Sequence, residues 1–157
     1  MKITLPSRTM SDQELLRFVT RARIPNFRGV HMRDELANRP LKNECGILNL
    51  ETHMQKGTHW TCWFKEGKER YYFDSYGEPP PPEMIKYLKS VNEFENDKPV
   101  IKRSAVTVQH DESSECGALC LYVLKQMSDG ILFPVILDGL VKRYEHNGPT
   151  PRLVIQL

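Results

Sequence analysis

The sequence predicts an α+β domain, and three runs of residues predict it. Two aromatic, β-rich runs at 58–64 and 70–75 flank Lys65-Glu66-Gly67-Lys68-Glu69, a polar turn that joins them as an antiparallel hairpin. Ser11-Asp12-Gln13-Glu14 is a capping box ahead of Leu15, Leu16, Phe18 and Val19, which predicts a helix over about 11–21. A small-polar loop, Asp111 to Glu115, leads into an apolar stretch of helical period, predicting a second helix over about 114–127 that Gly130 breaks.

The remaining elements follow in order. Asn26-Phe27-Arg28-Gly29 reads as a turn, Val30-His31-Met32 as a short strand, residues 39–43 as a loop and residues 44–50 as a strand. The four prolines at 79–82 form a stiff connector, and Pro82-Glu83 opens a helix with Met84, Ile85, Leu88 and Val91 on one side. Residues 92–99 form a polar loop. Val100-Ile101 and residues 105–108 are strand-like, and Phe133-Pro134 starts a last helix through Tyr144. With no internal repeat and 157 residues, the whole span 1–157 is expected to be one domain with one core.

Composition narrows the class. Hydrophobic residues at 39 % and charged residues at 27 % are globular values that exclude a disordered chain. The longest apolar run, 130–137, is too short to span a bilayer, and Met1 to Pro6 lacks the apolar core of a secretory signal, so a soluble intracellular monomer is expected. Four cysteines, three of them in apolar runs, suggest reduced thiols and no disulfide framework. Net charge is only +2 but uneven: residues 1–43 carry nine Lys/Arg against four Asp/Glu. This fits a surface facing a polyanion, and equally a solvated basic helix face.

The chemistry centres on Cys116. It stands where the polar loop meets the apolar helix, so its thiol lies at a helix N-terminus, where the dipole and unpaired N–H groups favour a thiolate. Cys120, one turn deeper, fits an inert core cysteine. Gly117 is expected to keep the entrance to the thiol open, and the Cys116 N–H to contribute to an oxyanion hole. The hairpin puts His59, at the start of one strand, and Asp74, at the end of its neighbour, at the same edge of the sheet. A general base needs reach to the thiol and an acceptor on its other nitrogen, and Asp74 supplies that acceptor. His31, His53 and His110 are rival bases without a carboxylate at a matching strand end. Trp60 is placed to shield the pair from water, and Gln109, seven residues before Cys116, is a candidate side-chain donor to an oxyanion. Cys45, His53, His59 and Cys62 lack the tight spacings of a zinc site, so no metal is expected.

The order Gly57-Thr58-His59-Trp60, Phe73-Asp74-Ser75-Tyr76-Gly77-Glu78, Gln109 and Cys116-Gly117, with Ser11 to Leu15 upstream, resembles the adenain / ubiquitin-like-protein protease clan, and within it the adenovirus maturation proteases. The resemblance covers roughly residues 11–127. It implies a papain-like cysteine protease fold, a mixed central β-sheet packed against a nucleophile-bearing helix and flanking helices. It implies His59 as base, Asp74 as third member, Cys116 as nucleophile, Gln109 as oxyanion donor, and Trp60 and Gly117 at the substrate cleft. Asp74 departs from the Glu of adenains and matches the ubiquitin-like-protein proteases.

The implied activity is a cysteine endopeptidase that cleaves viral or mobile-element structural precursors, capsid or core proteins, near Gly residues. No cofactor is needed for the chemistry. An activating viral peptide and DNA are implied as stimulants, although 92–103 holds no cysteine for a covalent peptide. The implied location is the virion or host nucleus. Two alternatives stay open: a deconjugating protease for a ubiquitin-like modifier, and a non-catalytic nucleic-acid-binding module.

Overall fold

A computed structural model describes residues 1–52, 59–90 and 98–157. His53, Gly57 and Thr58 lie outside these residues, as does most of the expected loop at 92–99. The chain runs β1 (Lys2–Thr4), α1 (Asp12–Ala22), β2 (Phe27–Met32), β3 (Asn43–Asn49), β4 (Trp60–Glu66), β5 (Glu69–Phe73), α2 (Pro82–Lys89), β6 (Ile101–Arg103), α3 (Cys116–Ser128), α4 (Phe133–Tyr144) and β7 (Val154–Gln156). Strands β2 to β6 form one sheet in chain order. Its two outer pairings, β2 with β3 and β5 with β6, are parallel, and its two inner ones antiparallel. β1 and β7 pair antiparallel as a separate ribbon.

The period-two alternation of the strands sorts side chains between two layers. Cys45, Ile47, Trp60, Cys62 and Phe73 face the main core with α1, α3 and α4, whereas Leu48, Trp63 and Tyr72 pack on Met84, Tyr87 and Leu88 of α2. The expected central helix is α3, which is apolar on nearly every face because it is covered from most sides: Leu119, Cys120, Leu121 and Leu124 are fully buried. α1 begins as its capping box requires, with Ser11 Oγ accepting from the Glu14 N–H and the Glu14 carboxylate accepting from the Ser11 N–H. In the second layer a buried carboxylate, Glu44, accepts from Trp63 Nε1 at 2.8 Å, from the Tyr87 hydroxyl and from the Leu41 N–H. The Trp63 ring packs against Gly46, where a Cβ would come within 2.2 Å of it.

Two expectations are corrected, and one element is new. Phe27 to Gly29 belong to β2, because the turn is confined to Pro25-Asn26, where Asn26 takes φ 59°. Residues 105–108 form no strand: Ser104 and Val108 N–H groups bond Tyr72 and Ser75 carbonyls singly, without a ladder. The ribbon β1–β7 was not expected, since three-residue strands carry no usable alternation. No helix among the described residues is long and apolar enough to cross a membrane.

Candidate active site

Cys116 is the first residue of α3, and α3 packs across β4, so the thiol meets the start of that strand. Cys116 is 6 % exposed, and its sulfur accepts from the Trp60 backbone N–H at 3.5 Å. The first N–H groups of a helix have no partner within it, so those of Cys116 and Gly117 are not used inside α3. His59 immediately precedes β4. The β4–β5 register pairs Cys62 with Phe73, which leaves His59 and Asp74 at the same end of the hairpin. His59 Nε2 lies 3.1 Å from Asp74 Oδ1. A carboxylate accepts, so Nε2 donates and Nδ1 is left for the sulfur; Cys116, whose sulfur accepts from the N–H of the next residue, Trp60, is among the groups that act on the His59 pKa. Burial alone would lower the His59 pKa, but the bonds and charges of Asp74 and Cys116 outweigh it and hold the imidazole at about 9. His59 thus stands as an imidazolium at neutral pH.

The turn after β5 supplies more than the carboxylate. Asp74 Oδ1 also accepts from the Tyr76 N–H at 2.8 Å, which closes an Asx turn and fixes the side chain. The Asp74 backbone is clamped by the Ser104 hydroxyl, which accepts from its N–H and donates to its carbonyl. The Tyr76 ring stacks on His59 at 5.1 Å. Gly77 takes φ +75° and its open side meets the Val106 backbone, where a Cβ would lie 2.9 Å from N and O. Ser75, fully buried, donates to Gln109 Oε1 at 2.6 Å. The run Asp74-Ser75-Tyr76-Gly77 therefore positions both the imidazole and the amide.

Gln109 is buried and held at both ends, with Nε2 donating to the Ser113 carbonyl at 2.9 Å. A carbonyl only accepts, so the amide orientation is fixed. One of its two N–H groups has no recorded acceptor among the described residues and is the group that could serve an oxyanion. Donors fixed in advance in this way are what a developing oxyanion requires.

The other expected site residues are placed as follows. Trp60 is buried, its Nε1 donating to the Met10 carbonyl at 2.9 Å, and it lines a cavity of about 530 Å³. Gly117 faces α1 and Trp60: a Cβ would lie 3.3 Å from both Leu15 Cδ2 and Trp60 Cδ1, so close packing of the nucleophile helix accounts for the glycine better than an open entrance does. His31 lies beside Trp63, and His110 stacks on Tyr144 of α4 at 4.3 Å. Cys45, Cys62 and Cys120 are free, buried thiols, and no group of three or more potential metal ligands converges among the described residues.

Several supporting residues escaped the sequence. Ser75, Tyr76 and Ser104 act through contacts 30 or more positions apart or through ring stacking, and only the Asp-Ser-Tyr-Gly turn signature pointed near them. Glu115, just ahead of Cys116, pairs with Arg143 at 2.5 Å with both side chains largely buried, and Arg143 Nε also donates to the Pro151 carbonyl. No local pattern links these positions.

No protein-family model matches the sequence, and no curated protein matches it. The solved structures that match the fold include the ASFV pS273R protease (TM-score 0.54, 16 % identity) and its Se-Met form (TM-score 0.57, 15 % identity), each aligned over 88 % of this chain and 67 % of theirs. At such identity the likeness speaks to architecture: a five-stranded mixed sheet with four helices among the described residues, in the papain-like cysteine protease fold.

Proposed function

We propose that the chain is a cysteine endopeptidase with Cys116, His59 and Asp74 as its triad and Gln109 as oxyanion donor. The observation that carries this is the arrangement at one end of the hairpin: His59 Nε2 lies 3.1 Å from Asp74 Oδ1, and the N–H of the next residue, Trp60, bonds the Cys116 sulfur at 3.5 Å. A protease of the same fold supports it.

Sγ attacks a peptide carbonyl carbon, and the oxygen takes the negative charge. The Cys116 N–H and the spare Gln109 N–H donate to that oxygen. His59 gives its proton to the leaving amine, the C–N bond breaks, and a thioester remains. Neutral His59 then takes a proton from water, whose oxygen attacks the thioester; the C–S bond breaks and the acid leaves. Asp74 holds the ring in one orientation throughout. Every proton and donor in this sequence belongs to the chain or to water, so no cofactor enters the chemistry.

The substrates we infer are structural precursors of a virus or mobile element, cut near Gly, with the protein acting in a virion or host nucleus. DNA and an activating peptide are proposed stimulants, the peptide non-covalent because 98–103 offers it no thiol and the sequence of 92–97 contains none. Internally quenched Gly-containing peptides and candidate capsid or core precursors, incubated with the protein and with Cys116→Ala, test the proposal. Cleavage by the first and not the second supports it; equal cleavage overturns it. Asp at 74 favours one competing substrate, a ubiquitin-like modifier. Labelling by modifier vinyl sulfones without hydrolysis of short Gly peptides would transfer the assignment to deconjugation.

A further inference from the structure

A cavity of about 530 Å³ is lined in part by Trp60, the residue next to the proposed base. Trp60 links this cavity to the nucleophile: its backbone N–H bonds the Cys116 sulfur, and the residue lines the cavity. A polypeptide seated over Cys116 therefore has this groove next to it. Its composition is two-part. Met10, Val30, Met32 and Trp60 give an apolar floor, and Asp12, Glu14 and Glu35 stand around it. Asp12 and Glu35 are exposed, whereas Glu14 is half-buried and committed to Arg8 at 2.5 Å and to the Ser11 cap. His31 is the one titratable nitrogen on the lining.

The carboxylates run against the local charge. Residues 1–43 carry an excess of Lys and Arg, yet no Lys or Arg lines this groove. An apolar floor under a carboxylate rim matches a long aliphatic stem with a cationic head: the stem packs on the methionines and indole, and the head stays hydrated beside Asp12 and Glu35. A Leu side chain would fill the floor and leave the rim unused, and a Glu would be repelled.

We propose that this groove selects a lysine or arginine side chain of the substrate a few residues from the scissile bond, with Asp12 and Glu35 as the selecting groups. The inference rests on the proteolytic assignment of the site and names its substrate preference. It follows that the precursors cut by this enzyme carry a basic residue near the Gly at which cleavage occurs.

Binding tests this apart from catalysis. Fluorescent peptides with a central Gly-Gly carry Arg, Leu or Glu, scanned over two to five positions on either side, and their affinity for Cys116→Ala is read by anisotropy at low and high salt. At one position Arg should bind at least about fivefold tighter than Leu, with the margin shrinking in salt. In the Asp12→Asn/Glu35→Gln background the Arg-to-Leu ratio should fall toward one. Both substitutions keep the oxygens that accept from the Gln13 and Met32 N–H groups, so the local fold is retained. Leu equal to or better than Arg at every position, a ratio that survives the double substitution, or no peptide binding at all would overturn the inference. Loss of hydrolysis with the Arg preference intact would instead count against the proteolytic assignment alone.

Discussion

Replacing Asp74 with asparagine removes one charge from the site and leaves its frame in place. The backbone at 74 is held by Ser104, and an asparagine Oδ1 still accepts from the Tyr76 N–H and from His59 Nε2. What is lost is the anion opposite the imidazolium. The rise of His59 from 6.5 to about 9 corresponds to about 3 kcal/mol in favour of its protonated form, net of burial, shared between Asp74 and Cys116. A charge-assisted hydrogen bond contributes about 1.5–3 kcal/mol, so kcat/KM on a Gly-containing peptide should fall about 10- to 150-fold. The pH profile carries the sign. His59 must be protonated to donate to the leaving amine, so wild-type activity should be lost as pH rises through about 9. In Asp74→Asn burial still depresses the imidazole while one of its two supports is gone, and the alkaline limb should move to lower pH. The assay is kcat/KM across pH 5–10 with an internally quenched peptide. A variant with wild-type rate and an unmoved alkaline limb would refute the assigned role of Asp74.

Gln109→Ala should lower kcat about 10²- to 10³-fold with little change in KM. Ser75→Ala, which frees Oε1 and so the amide orientation, should show the same pattern more weakly; a KM effect alone would point to substrate binding instead. Arg143→Gln leaves the Glu115 carboxylate largely buried without its cation, at a cost of about 3 kcal/mol and a fall in Tm of about 6–12 °C. The Glu115→Gln/Arg143→Gln pair should recover part of that, and an additive loss would argue against their coupling. The raised His59 pKa also makes stability pH-dependent. Its contribution is complete below about 6.5 and lost as pH climbs through about 9, so urea midpoints between pH 6.5 and 9.5 should decline more in wild type than in His59→Gln. Gly46→Ala should destabilise by about 1–3 kcal/mol, because its methyl would enter the Trp63 ring; an unchanged denaturation midpoint would contradict that packing.

What the sequence disclosed was local, and what it concealed was tertiary. The capping box fixed the start of α1, the aromatic alternation fixed the β4–β5 hairpin, and the hairpin carried the His59–Asp74 juxtaposition with it. The polar-to-apolar boundary put Cys116 near the start of a helix expected from about 114, and the structure makes it the first residue of α3. By contrast, Ser75 reaches Gln109 across 34 positions, Ser104 reaches Asp74 across 30 and Arg143 reaches Glu115 across 28. Such pairs leave no periodicity to detect. Gly117 shows how one residue type hides its reason: a glycine after a nucleophile suggests access, and only the proximity of Leu15 and Trp60 reveals packing. The groove beside Trp60 was equally illegible, since it joins the α1 N-terminus to β2, two elements whose contact no local pattern announces.

All four cysteines are free and buried, yet Cys116 bonds the N–H of the residue next to His59 and is 6 % exposed, against 1 % or less for Cys45, Cys62 and Cys120. The most direct measurement is therefore mass-spectrometric mapping of the adduct formed by a Gly-Gly peptide vinyl sulfone at neutral pH. One equivalent should attach to Cys116, with labelling sharply slowed in His59→Ala. Labelling spread over the other three cysteines, or unchanged at Cys116 without His59, would contradict the triad.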